Sequence, residues 1–450
     1  MKYKNFVELL DDMAGRFSEK PAMFYERDGE KKSLTYKELR EAVFKKTEEL
    51  KADPCKCIGI LLPPSPEWVI TVFASAIAGK RTVLFDLSLS TDRIQLLVMA
   101  TGTDKIVSYD DEAVSGLELC KSDGEYIENA GCLLFFTSGT TALNKAVVLS
   151  QKALCSSAWN GQQSLPCYET DTVLSMLPLN HVFGFVCTML WPLVNGAAVA
   201  FGRGMRHFGD DPTYFSATII SVVPSLLKYL IAANAFDPEL RCILIGASPC
   251  DQATYDAVSA KGIEVRCGYG MTETASGLAM TPVGGGIGAM DLCPDTQVRI
   301  SSEGEVMVRT SCMMEGYYHN KAATDAVLMG GELATGDLGS LDENGRLTIL
   351  GRKNDVLVMD NGEKIFCPEI EKELTEMLGA ETAVTLKSGK LIAVCGGTEA
   401  SREALLPKLD EYNMTLAMGR KVSDLAVSKS PLPKSATGKL QRWRLSALFE

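Results

Sequence analysis

The chain has 450 residues, more than one hydrophobic core usually organises, so we expect two or more domains. Lysine and arginine total 45 against 57 aspartates and glutamates, and the net charge of -12 argues against nonspecific binding to nucleic acid or to an anionic membrane. The 14 cysteines are scattered through apolar segments, which is typical of free thiols in a reducing compartment, and three histidines without a Cys-x-x-Cys motif indicate no zinc site in the sequence.

The N-terminal segment spaces its apolar residues as an amphipathic helix does and lacks the apolar core of a signal peptide. We therefore predict a cytoplasmic protein. Residues 182–201, VFGFVCTMLWPLVNGAAVAF, are nearly long and apolar enough to cross a bilayer, but Pro192, Asn195 and Gly196 interrupt them. We interpret this segment as a buried helix, a turn and a short buried strand, and we predict no transmembrane segment.

Short runs rich in β-branched residues alternate with longer helical patterns over most of the chain. The predicted strands include CIGILL, RTVLF, TDKIVS, CLLFF, ATIISVV and RCILIGA, and helical patterns such as SPEWVITVFASAIAG and STDRIQLLVMA lie between them. This alternation predicts mainly parallel sheets flanked by helices. From about residue 291 the pattern changes to strands and turns, as in DTQVRISSEGEVMVRT and GRLTILG, which predicts a small β-rich subdomain.

After Gly351 the charged turn GRKND opens a final block of about a hundred residues with strands and helices of its own. We predict an α/β protein of two domains. The large N-terminal domain, residues 1–352, would combine mainly parallel sheets, flanking helices and the β-rich subdomain. Residues 353–450 would form a small, mobile α+β C-terminal domain.

A loop rich in small and hydroxylated residues follows the strand CLLFF. Backbone N–H groups and hydroxyls in such a loop can surround a phosphate, glycine permits close approach, and Lys145 adds a mobile positive charge. The spacing is not that of a Walker loop, and a Ser/Thr-rich surface turn explains the loop by itself equally well. The loop residues are Thr137, Ser138, Gly139, Thr140 and Thr141.

Three further motifs carry chemistry that suits a nucleotide. GYGMTET combines an aromatic ring at Tyr269, able to stack on a base, with a carboxylate at Glu273 suited to Mg²⁺. TGDLG offers Asp337 to the two hydroxyls of a ribose, and Arg352 follows in GRKND. The C-terminal PLPKSATGKLQRWRL contains Lys439. Each motif is weak alone, because Glu273 could simply cap a helix and Lys439 could be one more solvated lysine.

In this order and spacing, these stretches resemble the acyl-adenylate-forming (AMP-binding) superfamily, which contains acyl-CoA and aryl-CoA synthetases, adenylation domains of peptide synthetases, and luciferases. The resemblance covers nearly the whole chain and is of the acyl-CoA synthetase type. It also includes LTYKELREA, LPLNHVFGF, ILIGASP, GEVMVR, GRKNDVLVMDNGEKIFCPEIE and PKSATGKLQR. It implies an AMP-forming ligase that uses ATP and Mg²⁺ to convert a carboxylic acid into acyl-AMP with release of pyrophosphate, and then transfers the acyl group to a thiol, usually that of coenzyme A (CoA).

The resemblance also implies a role for each matching residue. Lys439 looks like the catalytic lysine, and Glu273 like a catalytic residue that binds the metal. Asp355 matches the hinge between the domains, and Gly362 matches a position beside the pantetheine arm of CoA. The implied ATP-binding residues are Thr137, Ser138, Gly139, Thr140, Thr141, Lys145, Gly268, Tyr269, Gly270, Thr272, Asp337 and Arg352. The implied acyl-binding residues are His181, Phe183, Gly246 and Ala247.

The phosphate loop departs from the family pattern T-S-G-T-T-G-x-P-K-G. Ala142, Asn144 and Ala146 stand where glycine, proline and glycine are expected, and Gln151 stands where a histidine is common. Alanine disfavours positive φ and adds a methyl group at the phosphate wall. The alternative to an active ligase is therefore a catalytically impaired member that binds only an acyl group or a nucleotide.

The acid itself is only partly constrained. Amino-acid-activating domains carry an aspartate near the LPLNHVFGF region, whereas residues 181–184 here read HVFG, so an amino acid is disfavoured. Apolar residues near this motif favour a fatty or aromatic acid. These residues are Phe183, Phe185, Cys187, Ile245 and Met271. The expected partners are the acid, ATP and CoA, with a separate acyl carrier protein as the alternative acceptor and no nucleic acid.

Overall fold

The structure is a computed structural model that describes residues 2–110, 114–121, 129–137, 145–359, 364–387, 389–416, 421–434 and 440–448. Several of its helices begin at a residue whose side chain caps the first turn. Thr35 and Glu38, for example, form a reciprocal capping box at the start of the second helix. In chain order the α-helices are α1 (Phe6–Phe17), α2 (Tyr36–Ala52), α3 (Pro66–Ile77), α4 (Thr91–Thr101), α5 (Gln151–Ser164), α6 (Val182–Gly184), α7 (Trp191–Leu193), α8 (Asp211–Tyr214), α9 (Pro224–Ala232), α10 (Gln252–Ser259), α11 (Lys321–Val327), α12 (Cys367–Leu378) and α13 (Arg402–Met414).

The strands are short and mostly buried in the first half of the chain. In chain order they are β1 (Pro21–Arg27), β2 (Glu30–Thr35), β3 (Cys57–Leu61), β4 (Arg81–Leu84), β5 (Lys105–Ser108), β6 (Leu133–Phe136), β7 (Ala146–Leu149), β8 (Thr172–Ser175), β9 (Ala198–Phe201), β10 (Ile219–Val222), β11 (Cys242–Ile245), β12 (Glu264–Met271), β13 (Ser276–Met280), β14 (Asp291–Leu292), β15 (Gln297–Ile300), β16 (Glu305–Arg309), β17 (Gly316–Tyr317), β18 (Leu328–Met329), β19 (Glu332–Leu341), β20 (Leu347–Arg352), β21 (Val356–Val358), β22 (Lys364–Phe366), β23 (Glu381–Lys387), β24 (Lys390–Gly396) and β25 (Asp424–Val427).

Two large sheets form the first part of the molecule. Within the described residues, one has the strand order β14-β13-β12-β11-β10-β8-β9-β1-β2, and the other has the order β17-β7-β6-β4-β3-β5. Neighbours from β12 through β1 in the first sheet are parallel, as are β6, β4, β3 and β5 in the second. Antiparallel strands are added at both edges of the first sheet (β13 with β14, and β2) and at one edge of the second (β7 with β17). The predicted parallel sheets with flanking helices are therefore present.

The strands after residue 291 form the smaller units. An antiparallel sheet of order β15-β16-β19-β18, with β20 paired to β19, is the β-rich subdomain that the sequence predicts. Beyond it, β21 pairs with β22, and β23, β24 and β25 form a separate sheet against which α12 packs.

The apolar cores follow this division. The core of the first part joins α1, α2, α3 and α5 to the two large sheets, with Phe6, Phe73 and Phe185 fully buried in it. Two other apolar clusters draw their described members from residues 357–427 and 383–448, beyond β20. A boundary at residues 352/353 stays a prediction, to which we return below.

Residues 182–201 fold as a compact buried segment. Helix α6 passes into a π-helical stretch, Phe185–Leu190, then into α7, and the chain turns into the buried strand β9. This is the helix, turn and strand that we predicted. In the described residues no helix is long and apolar enough to cross a membrane.

The departure at Gln151 has a structural explanation. The Gln151 amide lies at the start of α5, where its Oε1 accepts a hydrogen bond from the Phe6 backbone N–H at 3.1 Å. Its Nε2 donates to the backbone oxygens of Ala76 at 3.0 Å and Gly131 at 3.1 Å. One side chain therefore joins α1, the end of α3 and the turn before β6.

Replacing Gln151 by alanine is expected to lower the free energy of unfolding by about 1–3 kcal/mol, because three hydrogen bonds to backbone groups are lost at once. Urea unfolding followed by far-UV circular dichroism measures this. The matched control is Gln163→Ala on the same helix, where the exposed amide makes only a local 3.4 Å contact to the Trp159 carbonyl among those described. Equal stability changes in the two variants would contradict the bridging role.

Candidate active site

The predicted nucleotide motifs converge at the end of β12. This strand carries the residues Gly268–Met271, and the 3-10 turn Thr272–Thr274 follows it directly. At Gly270 an added Cβ would lie 1.6 Å from the Ser276 backbone oxygen, so the close approach of the two strands requires glycine there. Gly268 has no such requirement, since its added Cβ would meet nothing closer than 3.6 Å.

Tyr269, Asp337 and Arg352 lie together, and we name them the nucleotide clamp. The Tyr269 hydroxyl donates to Asp337 Oδ2 at 2.6 Å, and Arg352 Nε lies 2.9 Å from Asp337 Oδ1. Burial, and then the charge of Asp337, raise the pKa of Tyr269, so its hydroxyl stays protonated and donates. A carboxylate has about four lone-pair sites and can therefore accept several hydrogen bonds at once, which is the chemistry that the two hydroxyls of a ribose require.

The register of a hairpin brings two members of the clamp together. In the antiparallel pairing of β19 with β20, Asp337 lies opposite Arg352. The Asn344-Gly345 turn lies between the strands and leads into the pairing of Leu341 with Leu347, and a register shift between Leu338 and Gly339 then brings Asp337 opposite Arg352. The turn alone would place Asp337 opposite Gly351, so the structure decides this pairing, and we predicted the roles of Asp337 and Arg352 only from the family resemblance.

Glu273 is buried beside the clamp and has a partner that we did not predict. Its carboxylate is 8% exposed, and its Oε1 accepts a hydrogen bond from the Tyr317 hydroxyl at 2.8 Å. Burial, and then the charge of Glu273, raise the pKa of Tyr317. Lys145 Nζ lies 4.4 Å from the centre of the Tyr317 ring. Tyr317 thus connects Lys145, beside the phosphate loop, to the predicted metal ligand.

The donor set suits a magnesium ion that arrives with ATP. The described residues contain no group of three or more histidine, cysteine, aspartate or glutamate side chains that could hold a metal. Mg²⁺ at nucleotide sites usually takes one or two carboxylates and completes its shell with phosphate oxygens and water. Glu273 offers one carboxylate of this kind at the end of β12, so the residues present fit such an ion.

The predicted acyl-binding residues lie at α6, where His181 is the N-cap and Phe183 is in the helix, and directly after β11, at Gly246 and Ala247. An added Cβ at Gly246 would lie 2.7 Å from the Phe183 ring, so this ring packs on the Gly246 backbone. The next residue, Ala247, has φ +66°, a conformation that alanine rarely adopts. His181 Nε2 lies 3.9 Å from Asp86 Oδ2, and burial lowers the His181 pKa although the charge of Asp86 opposes this, so the imidazole is neutral at pH 7.

Backbone strain marks the same region, and the sequence showed no sign of it. Ala275 and Ser276 both have positive φ, at +48° and +93°. The Ser157 hydroxyl donates to the Ala275 carbonyl at 2.5 Å, and Cys187 Sγ lies 3.3 Å from Ser276 Oγ. Strained backbone of this kind persists where surrounding contacts hold it, and it clusters at functional sites.

Several predicted residues lie outside the described part of the chain: Ser138, Gly139, Thr140, Thr141, Gly362 and Lys439. Residues on each side of the phosphate loop are described. The Thr137 backbone N–H donates to the Lys145 carbonyl at 3.1 Å, which closes the base of the loop. Thr272 begins the turn that carries Glu273, and Asp355 ends the 3-10 turn Lys353–Asp355.

The chain is similar to known proteins over nearly its whole length. The sequence pattern of the family described as AMP-binding enzyme matches residues 10–128 and 122–318. The 2-succinylbenzoate–CoA ligase of Listeria monocytogenes serotype 4b is 28% identical over 401 residues, which are 84% of this chain and 83% of that protein. The ligase of the same name from Bacillus cereus is 28% identical over 468 residues, 94% of this chain and 95% of that protein.

Solved structures agree with this. The o-succinylbenzoate CoA synthetase (MenE) of Bacillus subtilis, in complex with the acyl-adenylate intermediate OSB-AMP, superposes with a TM-score of 0.81 at 25% identity, covering 97% of each chain. The same synthetase in complex with ATP and magnesium gives a TM-score of 0.81 at 26% identity, covering 97% of this chain and 99% of that one. A fatty acyl CoA synthetase of Mycobacterium tuberculosis, 20% identical with a TM-score of 0.75, shares the fold.

The chain belongs to the AMP-binding enzyme family. The family, the fold class and the reaction class that we predicted are confirmed: the protein is an AMP-forming acid–CoA ligase. The roles of individual residues and the boundary between domains stay predictions.

Proposed function

We propose that the protein uses ATP and Mg²⁺ to activate an aromatic carboxylic acid and transfers the acyl group to CoA. The observation that carries this proposal is the nucleotide clamp, in which buried Asp337 is held between Tyr269 and Arg352 beside the Glu273–Tyr317 pair. A ribose-binding carboxylate and a metal-binding carboxylate on adjacent elements suit a nucleoside triphosphate. The relatives named as CoA ligases support CoA as the acceptor.

In the first half-reaction the carboxylate of the acid attacks the α-phosphorus, an acyl–phosphate bond forms, and pyrophosphate leaves. Two anions must meet, so positive groups and N–H donors have to be in place before the attack. Lys145 and the phosphate loop would hold the outer phosphates, Asp337 the ribose, and Tyr269 the adenine. Lys439 would bridge the attacking carboxylate and the α-phosphate. Mg²⁺, when bound at Glu273, neutralises charge on the phosphates.

In the second half-reaction the CoA thiol attacks the acyl carbonyl and AMP leaves, which gives the thioester. The same site serves both steps if residues 353–450 rotate about Asp355, withdraw Lys439 and bring Gly362 to the pantetheine arm. The separation of the apolar clusters on either side of residue 352 supports this division, because few buried contacts would have to break.

We favour an aromatic acid over a long fatty acid. The Phe183 ring lies against the Gly246 backbone, so an aromatic side chain lies among the predicted acyl-binding residues, where it could stack on an aromatic substrate. The relatives named for 2-succinylbenzoate make that acid the first candidate. The neutral His181 imidazole would lie near the carboxylate of the acid, where it can donate a hydrogen bond without a fixed charge.

A panel of acids tests the proposal. The full-length protein is supplied with ATP, Mg²⁺ and CoA and with 2-succinylbenzoate, substituted benzoates or straight-chain fatty acids, and AMP release and acyl-CoA are measured. We expect the highest kcat/KM with an aromatic acid. Highest activity with a long fatty acid would contradict the substrate class. No AMP release with any acid at saturating ATP would contradict the ligase and favour the noncatalytic binder.

Replacing Phe183 by alanine is expected to shift the preference toward longer acids. Removing the ring opens space beside Gly246, and each additional methylene buried there contributes about 1–3 kcal/mol, so the kcat/KM ratio of a long to a short acid should rise about tenfold or more. Competition between two acids, followed by chromatography of the acyl-CoA products, measures the ratio. The KM for ATP should not change, and an unchanged ratio would place the acid elsewhere.

We also propose a cytoplasmic location and free CoA as acceptor. All 14 cysteines are free, and buried thiols without disulfides are typical of proteins in a reducing compartment. A separate acyl carrier protein remains the alternative acceptor, and replacing CoA by such a carrier in the panel distinguishes the two.

A further inference from the structure

Arg442 is a partly buried arginine whose contacts reach three separate parts of the chain. Its side chain is 16% exposed, and its Nε donates to Asp355 Oδ1 at 2.8 Å. Its Nη2 donates to Glu371 Oε2 at 2.8 Å, its Nη1 also contacts Glu371 Oε1, and the same Nη1 donates to the Val384 carbonyl at 3.0 Å. The guanidinium therefore joins the turn after β20, helix α12 and strand β23.

The chain is fixed on both sides of the segment that contains Lys439. Lys434 and Leu440 form an antiparallel bridge, and the Gln441 N–H donates to the Pro433 carbonyl at 2.8 Å. Leu432 and Leu445 are buried in the small apolar cluster with Ala383 and Val394, and Leu440 packs against it. The described residues on each side of this segment, Lys434 and Leu440, thus lie side by side, and Arg442 follows Leu440 after a single residue.

The other end of the turn is held by the first part of the molecule. Lys353 Nζ lies 2.7 Å from Glu303 Oε2 and 2.9 Å from Glu305 Oε2. Glu305 lies in β16 and accepts a hydrogen bond from the Gly336 N–H through its other oxygen at 3.0 Å. Lys353 therefore attaches the turn Lys353–Asp355 to the β-rich sheet, and Asp355 attaches it to Arg442. In a rotation about this turn, Lys353 would stay with the β-rich sheet and Arg442 would move with the C-terminal part of the chain.

We propose that Arg442 is a positioning residue for the adenylation half-reaction, which holds the chain beside the Lys439 segment to the hinge residue Asp355. This role rests on the proposed function, because it requires Asp355 to be the pivot and Lys439 to act on the α-phosphate. In this role Arg442 acts through Asp355 and not on a substrate. Arg442 sets the distance and direction from Asp355 to the segment that contains Lys439, whose ammonium group acts in adenylation.

The chemistry of arginine suits this role. A planar guanidinium donates in several fixed directions at once, which a lysine ammonium on a flexible stem does not reproduce. Catalysis by a positioned group depends steeply on geometry, and a displacement of about 1 Å can cost about a hundredfold in rate. Loosening the Arg442–Asp355 contact should therefore affect the step that needs Lys439 and largely spare the step in which Lys439 is withdrawn.

The two half-reactions can be measured separately on the full-length protein. Acid-dependent exchange of pyrophosphate into ATP reports adenylation, and thioester formation from synthetic acyl-AMP and CoA reports transfer. We expect Arg442→Lys to lower kcat for exchange about tenfold or more, with an unchanged KM for ATP and a change of less than about threefold in transfer. The matched control is Arg444→Ala, because Arg444 is exposed and donates to nearby Gln441.

A double substitution tests whether Arg442 acts through Asp355. Asp355→Ala should bias the half-reactions as Arg442→Lys does, and the double variant should show no larger bias than either single variant. Thermal unfolding measures whether each variant folds. If Arg442→Lys does not fold, Asp355→Ala tests the positioning role in its place. Equal losses in both half-reactions, or multiplying effects in the double variant, would overturn the role of Arg442 alone. Absence of exchange in the unsubstituted protein would instead contradict the proposed function.

Discussion

Replacement of Lys439 by alanine is expected to reduce acid-dependent pyrophosphate exchange by about 10²–10³-fold, the usual cost of removing one group that stabilises transition-state charge. The physical reason is that the carboxylate and the α-phosphate repel each other, and this lysine would supply the positive charge between them. Thioester formation from synthetic acyl-AMP should survive, since no phosphorus is attacked in that step. Lys439 lies outside the described residues, so the prediction rests on the PKSATGKLQR motif.

Lys429→Ala is the matched control for this prediction. Lys429 belongs to the same C-terminal part of the chain, is 79% exposed, and pairs with Glu399 at 2.8 Å on the surface. Its removal should leave both half-reactions unchanged, because surface ion pairs contribute about 0–1 kcal/mol. An equal loss of exchange and of transfer in Lys439→Ala would refute the assignment of Lys439 to adenylation.

Replacement of Glu273 by glutamine is expected to lower the exchange rate by about 10²-fold and to raise the Mg²⁺ concentration needed for half-maximal rate, because an amide is a much weaker ligand for Mg²⁺ than a carboxylate. Tyr317→Phe removes the 2.8 Å hydrogen bond to Glu273 but keeps the charge, so its loss should be smaller, about tenfold. Exchange rates titrated with Mg²⁺ at saturating ATP distinguish the two effects.

The exposed Glu315 provides the control for Glu273. Glu315 precedes β17, the strand that carries Tyr317. The Glu315→Gln variant should exchange pyrophosphate at the same rate as the unsubstituted protein. If Glu273→Gln retained both the rate and the Mg²⁺ dependence, the metal would have to bind elsewhere. Glu273 would then be a structural partner of Tyr317.

For several contacts at the candidate site, the sequence indicated one of the two residues but not its partner. Glu273 was predicted as a metal ligand from GYGMTET, but the Tyr317 hydroxyl that holds it is 44 positions away in the chain. Asp355 was predicted as a hinge, but Arg442, which binds it, is 87 positions away. In the sequence Gln151 is only a departure from the family pattern, although its amide joins three elements. In each case nothing local indicates which distant side chain is the partner.

The sequence by itself determined the alternation of strands and helices, the family, the reaction class and the types of the candidate catalytic residues. These properties are encoded locally, in hydrophobic periodicity and in short motifs whose residue types the chemistry requires. Only the tertiary structure decided that Tyr317 joins Lys145 to Glu273, that Ala247, Ala275 and Ser276 take left-handed conformations, and that Arg442 links the C-terminal segment to the turn after β20. Such contacts depend on which sheet edges and loops the topology places side by side, and short-range sequence patterns do not determine that arrangement.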